Sequence, residues 1–214
     1  MRPVLLLILG SISSFAQPFA AGIKVGAPLT DSLSPGSLGV SYTLAPETRH
    51  YLVGGTLELR VPRGFAVEFD ALYRRQDYTG AGNVILSPVY YNTATTAGNW
   101  EFPLLLKYRF HFPVVRPYVD AGAAGDTLAG LKQTITETVP GFVTGSGVTT
   151  TNSPPELYQK ATAGFVLGAG VDIHAIFLHI SPEVRYTRWA AAQFNYGTFH
   201  SNQNQAEFPM GLTF

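Results

Sequence analysis

Apolar and polar side chains alternate along much of this chain. In "WEFPLLLKYRF", residues 100–110, the even positions are all aromatic or leucine, whereas Glu101, Lys107 and Arg109 fall on odd positions. Alternation with period two is typical of a β-strand with two different faces, and helical periodicity hardly appears. The pattern predicts eight strands, at about 21–29, 51–61, 65–73, 100–110, 117–125, 161–173, 178–186 and 206–214.

The connections between these strands alternate in length. Three are short, at 62–64, 111–116 and 174–177. Four are long and rich in Gly, Thr, Asn and Ser, at 30–50, 74–99, 126–160 and 187–205. Alternating long and short connections are typical of an up-and-down antiparallel barrel whose two rims face different compartments. Two stretches of the third long connection, "QTITETV" and "GFVTGSGVTTT", are interpreted as extensions of strands five and six.

The two faces of the predicted strands differ in charge. We take the face that carries Trp100, Leu104 and Phe110 as the outward face, and align the alternation of every other strand with it. No outward position in any strand is then charged. Charges inside a soluble domain are costly, so a soluble barrel would turn them outward. An apolar outside and a charged inside predict an eight-stranded transmembrane β-barrel. The inward charged residues are Lys24, Glu58, Arg60, Glu68, Asp70, Glu101, Lys107, Arg109, Asp120, Asp172, Glu183, Arg185 and Glu207.

Aromatic residues fall near both ends of the predicted strands. With both chain ends in the periplasm, one group lies near the outer rim and a second group near the inner rim, as expected for belts at two bilayer interfaces. The outer group is Tyr51, Tyr73, Trp100 and Tyr186, and the inner group is Phe65, Tyr108, Phe110, Phe177 and Phe214.

Three prolines, Pro103, Pro182 and Pro209, lie inside predicted strands. Each removes one donor from a β-ladder, and a closed barrel has no edge strand to accept it. We therefore expect bulges or locally lost hydrogen bonds at these positions, or strand ends displaced by a few residues.

Composition narrows the possible partners. Charged residues make up 13% of the 214 residues, the net charge is zero and there is no cysteine. Soluble domains average about 25% charged residues. A balanced charge gives no reason to expect nucleic acid, and the lack of cysteine excludes a lipoprotein anchor, disulfides and thiol chemistry.

The first residues, "MRPVLLLILGSISSFAQ", have the three parts of a secretory signal in order. Arg2 is the positive region, 3–10 is the apolar region, and Ser14-Phe15-Ala16 is a small-x-small cleavage site. The sequence predicts a signal peptide at 1–16 and a barrel domain at 17–214.

Several segments resemble a known family when they are taken in order. "EFPLLLKYRF", "RPYVDAGAA", "FVLGAGVDI" and "SPEVRYTRW" are similar to the outer-membrane β-barrel domain family of PorT-like and OmpA-like small barrels. The resemblance implies location in the outer membrane of a two-membraned bacterium. The final "EFPMGLTF" is similar to the terminal strand signal read by the outer-membrane assembly machinery, which implies that role for Phe208, Met210, Leu212 and Phe214.

The inward charges invite a catalytic interpretation, but an eight-stranded barrel is just wide enough to be filled by its own side chains. We therefore interpret the thirteen charges as a structural network that plugs the interior. We expect no catalytic residue, no cofactor and no metal site. His179, Ser181 and Glu183 share one face of strand seven and keep open the alternative of an outer-membrane lipid-modifying hydrolase.

The long connections are the expected functional surface, because loops on a rigid barrel can bind without disturbing the scaffold. Their Tyr, Asn, Thr and Ser side chains suit polar or glycan contacts. The sequence thus favours a monomeric, non-enzymatic protein that contacts outer-membrane lipid and has a structural role or binds an extracellular ligand. A further alternative is a soluble, lipocalin-like barrel that carries a small ligand in an apolar interior.

Overall fold

The fold is described from a computed structural model, which covers residues 19–38, 41–83, 89–112, 115–139, 147–175 and 178–213. The predicted signal peptide and two of the inner aromatic residues, Phe177 and Phe214, lie outside these residues. No helix in the described ranges is long and apolar enough to cross a membrane.

Eight long strands follow one another along the chain and pair in sequence. Each pairs antiparallel with the next, and the last returns to the first through pairs such as Gly22↔Thr213, which closes the ring. The prediction of an eight-stranded antiparallel up-and-down barrel is confirmed. The strands are β1 (Phe19–Pro28), β2 (Leu52–Arg60), β3 (Phe65–Asn83), β4 (Tyr90–Arg109), β5 (Val115–Thr138), β6 (Ala161–Ala175), β7 (Leu178–Trp189) and β8 (Asn204–Thr213).

In the half of the ring nearer the periplasm, the side chains that point away from the barrel interior are apolar. Leu57, Leu104 and Phe165 point outward and are 58%, 54% and 52% exposed. Aromatic pairs mark the two ends of this surface: Tyr73 packs on Trp100 at 5.1 Å between ring centroids, and Phe65 packs on Tyr108 at 4.9 Å. We call the stretch between these two pairs the membrane section.

Each of the three prolines interrupts a ladder on one side and leaves the register unchanged. The β3–β4 pairs run to Phe69↔Leu104 and resume at Leu72↔Glu101, so the gap lies at Pro103. The β6–β7 ladder has the same kind of gap at Pro182, and the β7–β8 ladder has one at Pro209. Lost pairs, rather than bulges, therefore accommodate the missing donors.

Three strands are much longer than predicted. β3, β4 and β5 have 19, 20 and 24 residues, so most of the connection predicted at 74–99 is strand, as is the beginning of the one predicted at 126–160. Thr, Ala and Tyr continue the alternation there, whereas the predicted ends of β3 and β4 lay at the aromatic belt. The predicted extension of β5 through "QTITETV" is confirmed up to Thr138, whereas the described part of "GFVTGSGVTTT" is a separate strand that pairs with β5.

The long strands rise beyond the membrane section as an open sheet. Strand Tyr42–Thr48 pairs with the extension of β3, and strand Gly147–Thr151 pairs with the extension of β5. The short strand Gly36–Leu38 adds to the first of these edges. We call this sheet, together with the segments 29–35, 152–160 and 190–203 that cover it, the outer section.

A β-bulge separates the two parts of β5. The β4–β5 register shifts between Thr96 and Gly98, and Gly130, at the bulge, has a φ of 62° that suits glycine. The extra residue reverses the phase, so that Leu128 and Leu131 both point inward and are buried.

Candidate functional site: the charged interior and its apolar roof

Ion pairs cross the middle of the membrane section. Lys24 on β1 contacts Glu68 at 2.5 Å and Asp70 at 2.9 Å, both on β3. Arg185 on β7 contacts Asp70 at 3.1 Å and Glu183 at 2.7 Å. Because β3 and β7 are opposite strands of an eight-strand ring, the Asp70–Arg185 pair spans the interior.

The network continues toward the inner rim. Lys107 on β4 lies 2.5 Å from Glu68 and 3.8 Å from Glu58. Arg109, two residues further along β4, forms salt bridges with both Glu58 and Asp172. Each carboxylate here is shared by several donors, which is how buried charges become tolerable.

Toward the outer rim the network centres on Arg74. Its guanidinium contacts Glu101 at 2.5 Å and Glu207 at 3.0 Å, and it donates a hydrogen bond to Gln205 at 2.6 Å. These partners come from β4 and β8, so Arg74 joins three strands across the top of the membrane section.

The structure places all thirteen predicted interior charges at inward-facing positions. Eleven are buried, and Arg60 and Arg109 are half-buried. Asp120 differs from the others: it is buried beside its cross-strand neighbour Lys107 but makes no ion pair with a cation of the described residues.

Sequence reasoning missed two charged members of the interior, Arg74 and Asp126. Both were assigned to loops, because strands three and five were ended at residues 73 and 125. The signal was present, since Arg74 continues the inward phase of Glu68 and Asp70, and Asp126 continues that of Asp120.

The interior is not charged throughout. Leu105, Ala124, Val166 and Trp189 form a small buried apolar cluster between β4 and β7. The interior therefore contains apolar packing as well as ion pairs.

An apolar roof covers the outer mouth. Tyr78, on the extension of β3, packs against Phe194 at 5.4 Å and Phe199 at 5.0 Å between ring centroids. Burial raises the pKa of the Tyr78 phenol, which therefore stays neutral at physiological pH. The buried members of this cluster are Leu33, Leu44, Tyr78, Ala97, Leu128, Leu131, Phe194 and Phe199.

Polar contacts tie the roof to the barrel below it. Gln193 donates a hydrogen bond to Asp126 at 2.9 Å. Buried Glu156 accepts one from Gln133 at 3.3 Å through its side chain, and its carbonyl oxygen accepts one from the Asn195 backbone at 2.9 Å. Segments from two connections are therefore fixed over the mouth rather than standing apart as separate loops.

The predicted hydrolase residues lie inside the barrel near the inner rim. The Ser181 hydroxyl donates a hydrogen bond to Asp172 at 2.5 Å, and the Glu183 carboxylate is bound to Arg185. Within the described ranges, no group of three or more His, Asp or Glu is arranged to hold a metal ion.

Of the predicted assembly signal, Phe208, Met210 and Leu212 occupy outward positions of β8, and Phe208 is 39% exposed. Phe214 lies outside the described residues. Recognition of this strand by an assembly machinery stays a prediction.

A closed ring with an apolar band, two aromatic ends and a charged interior defines a transmembrane β-barrel. The model of the outer membrane protein beta-barrel domain family matches residues 15–188, and the chain belongs to that family. It is therefore a protein of the outer membrane of a Gram-negative bacterium, as the resemblance implied, and the soluble alternative is wrong. No curated protein matches the sequence.

Solved structures with a similar fold are small outer-membrane barrels. The outer membrane protein OprG from Pseudomonas aeruginosa has a TM-score of 0.55 at 12% identity, covering 91% of this chain and 92% of that one. Neisserial surface protein A has a TM-score of 0.44 at 14% identity, with 91% and 94% covered. Ail of Yersinia pestis, crystallised with the heparin analogue sucrose octasulfate, has a TM-score of 0.40 at 9% identity, with 92% and 100% covered.

Proposed function

We propose that this protein is a closed, non-enzymatic barrel that holds a rigid binding surface outside the outer membrane. The observation that carries the proposal is that buried ion pairs span the interior while a packed roof covers the outer mouth. A barrel that passes solutes needs an open path through both the interior and the outer mouth. Here the strands instead continue past the roof as a sheet.

The interior network acts as the plug. The Asp70–Arg185 pair spans the lumen, and Lys24 and Lys107 bring in two further strands. Moving an ion past these groups would require breaking several buried salt bridges at once, which is costly. We therefore expect negligible conductance.

Conductance across planar bilayers tests the plug. The wild-type protein should insert without producing stepwise currents. Heat-modifiable mobility of the protein recovered from vesicles of the same lipid shows that it has inserted as a folded barrel. Stable open-channel currents from the wild-type protein would overturn the closed-barrel proposal.

The binding surface is a shallow trough on the outer face of the extended sheet. It has a volume of about 410 Å³ and lies where four strands twist past one another. Hydroxyl and amide groups at its surface suit hydrogen bonding to a polar ligand such as a glycan, while the small alanines between them leave room for it. The outward lining residues are Thr43, Ala45, Thr79, Ala81, Asn92, Ala94, Thr134 and Thr136.

A glycan array probed with the folded protein tests this surface. Asn92→Ala combined with Thr134→Ala removes two hydrogen-bonding groups from the trough and should abolish any specific signal. Thr150→Ala is the matched control, because Thr150 is exposed on the neighbouring edge strand and does not line the trough. A signal unchanged by the double variant would exclude the trough as the binding site.

As part of the same proposal, we expect the protein to have no enzymatic activity. The Ser181 hydroxyl is bonded to Asp172 inside the barrel, whereas a lipid hydrolase would present its nucleophile to the membrane. Purified protein incubated with lipid A should release no fatty acid, and release that is lost in Ser181→Ala would contradict the proposal.

The proposal also covers how the protein is assembled and how many chains it contains. We expect the assembly machinery to read the outward side chains of β8, and we expect a monomer because the ring of eight strands leaves no barrel edge open. Light scattering of the detergent-solubilised protein, corrected for bound detergent, should give the mass of one chain.

A further inference from the structure

A pocket of about 310 Å³ lies at the inner rim, on the side opposite the roof. It is bounded by the turn Pro62–Gly64 and by the inner ends of β4 to β7. Its polar lining is Arg60, Arg109, His111, Arg116, Asp172 and His179, and its apolar lining includes Val61, Phe65 and Phe110.

The turn is held close to the end of β4. Gly64 has a φ of 86°, and a Cβ at that position would lie 2.7 Å from the carbonyl oxygen of Arg109. Glycine permits this close approach, which brings the polar and apolar sides of the pocket together.

The polar side carries excess positive charge. Arg60 lies 2.8 Å from Glu58, and Arg109 is bound between Glu58 and Asp172, so two guanidinium groups are balanced by two carboxylates. Arg116 makes no ion pair with a carboxylate of the described residues, because its cross-strand neighbour Asp172 is bonded to Arg109 and to Ser181. The exposed guanidinium of Arg116 therefore carries a positive charge that no carboxylate of the described residues balances.

The apolar side is continuous with the lipid-facing surface. Val61, Phe65 and Phe110 are 44%, 42% and 42% exposed, and Phe110 packs on Tyr108 at the inner end of the membrane section. The pocket therefore joins guanidinium groups to lipid-facing side chains at the depth where the headgroups of the inner leaflet lie.

We propose that this inner-rim pocket binds a phosphate group. Guanidinium groups bind phosphate through paired hydrogen bonds, and Arg60 and Arg109 are already held in place by their carboxylates. The group can belong to a phospholipid headgroup or to free periplasmic phosphate. The apolar side favours the phospholipid, because it offers contacts for the glycerol and the first methylenes.

Native mass spectrometry of the full folded chain in a neutral detergent tests the proposal. The probes are a phosphatidylglycerol, the diacylglycerol with the same acyl chains, and inorganic phosphate. We expect one phosphatidylglycerol per chain, no retained diacylglycerol, and displacement of the lipid by excess inorganic phosphate. Arg116→Gln should weaken lipid binding about tenfold, the loss expected for one charge-assisted hydrogen bond, and Arg116→Lys should weaken it less.

The matched control is Arg63→Gln, which removes a positive charge at the same rim, from the turn Pro62–Gly64, at a residue that does not line the pocket. It should leave binding within about twofold of wild type. Heat-modifiable gel mobility checks that every variant is folded. Retention of inorganic phosphate but not phosphatidylglycerol, with the same dependence on Arg116, would support the phosphate site and identify free phosphate as its source. Equal binding of diacylglycerol, or binding unchanged in Arg116→Gln, would overturn the proposal.

Discussion

The membrane section buries a network of ion pairs and the outer section buries an apolar cluster, although β3, β4 and β5 run through both. In the membrane section Leu104 faces outward and Lys107 is buried. Above it, on the same strand, Thr96 faces outward and Ala97 is buried. The solvent outside each section accounts for the difference, since lipid favours apolar surface and water favours polar surface.

The contrast also shows what stabilises each section. In hydrocarbon the apolar face gains little from being covered, so strand hydrogen bonds and interior ion pairs hold the ring together. In water the apolar cluster around Tyr78 is itself a driving force, because its burial removes apolar surface from solvent. The same kind of substitution should therefore cost different amounts of stability in the two sections.

The largest effect is expected from Arg185→Met. It leaves Asp70 and Glu183 without their guanidinium partner in the middle of the membrane section, and breaking a buried pair in this way costs about 3–5 kcal/mol. The free energy of unfolding, measured by urea titration in lipid vesicles, should fall by that amount. Arg188→Met is the control on the exposed face of the same strand, and similar losses in both variants would contradict a structural interior network.

Leu104→Arg should come next. The arginine would face lipid near the bilayer midplane, at a cost of about 2–4 kcal/mol. The same vesicle titration measures the loss, and the fraction of heat-modifiable protein in outer membranes shows whether assembly also fails. Full stability of this variant would mean that Leu104 does not contact lipid.

Leu44→Ala should cost about 2 kcal/mol, the lower end of the range for a buried leucine, because the roof is small and one side of it can relax. The loss should be local. Limited proteolysis should cut the outer section faster, while the barrel keeps its heat-modifiable mobility. Loss of that mobility would show that the two sections fold as one unit.

Thr96→Arg should have the smallest effect, below about 0.5 kcal/mol, because its side chain extends into water. It introduces the same residue on the same face of β4 as Leu104→Arg, eight positions away. A cost comparable to that of Leu104→Arg would place Thr96 in lipid and move the outer boundary of the membrane section.

The sequence predicted the membrane section well because lipid imposes one rule on every outward position. Charges such as Lys24 and Glu183 could be assigned to the interior from phase alone. The requirement for apolar outward side chains ends at the aromatic belt. The predicted strands were ended at the same level, and Arg74, which lies just beyond it, was therefore assigned to a loop. The belt marks the end of the bilayer, and the ladder continues as long as the side chains suit a strand.

The outer section was harder to predict for two reasons. The bulge at Gly130 shifts the phase of β5, so a fixed alternation would turn Leu131 outward. The roof also depends on contacts such as Tyr78 with Phe199, which join residues more than a hundred positions apart. No local sequence pattern predicts that two segments so far apart in the chain will be in contact. The inner-rim pocket is similar, since Arg60 and Arg116 come together only when the ring closes.

The most direct test of the two opposite sections is a spin-label scan along the outward face of β4. The chain has no cysteine, so single cysteines at Asn92, Thr96, Leu104 and Leu106 can be labelled without background. In lipid vesicles, labels at 92 and 96 should be relaxed by a water-soluble nickel complex, and labels at 104 and 106 by dissolved oxygen. Nickel access at 104 and 106 equal to that at 92 would contradict the account.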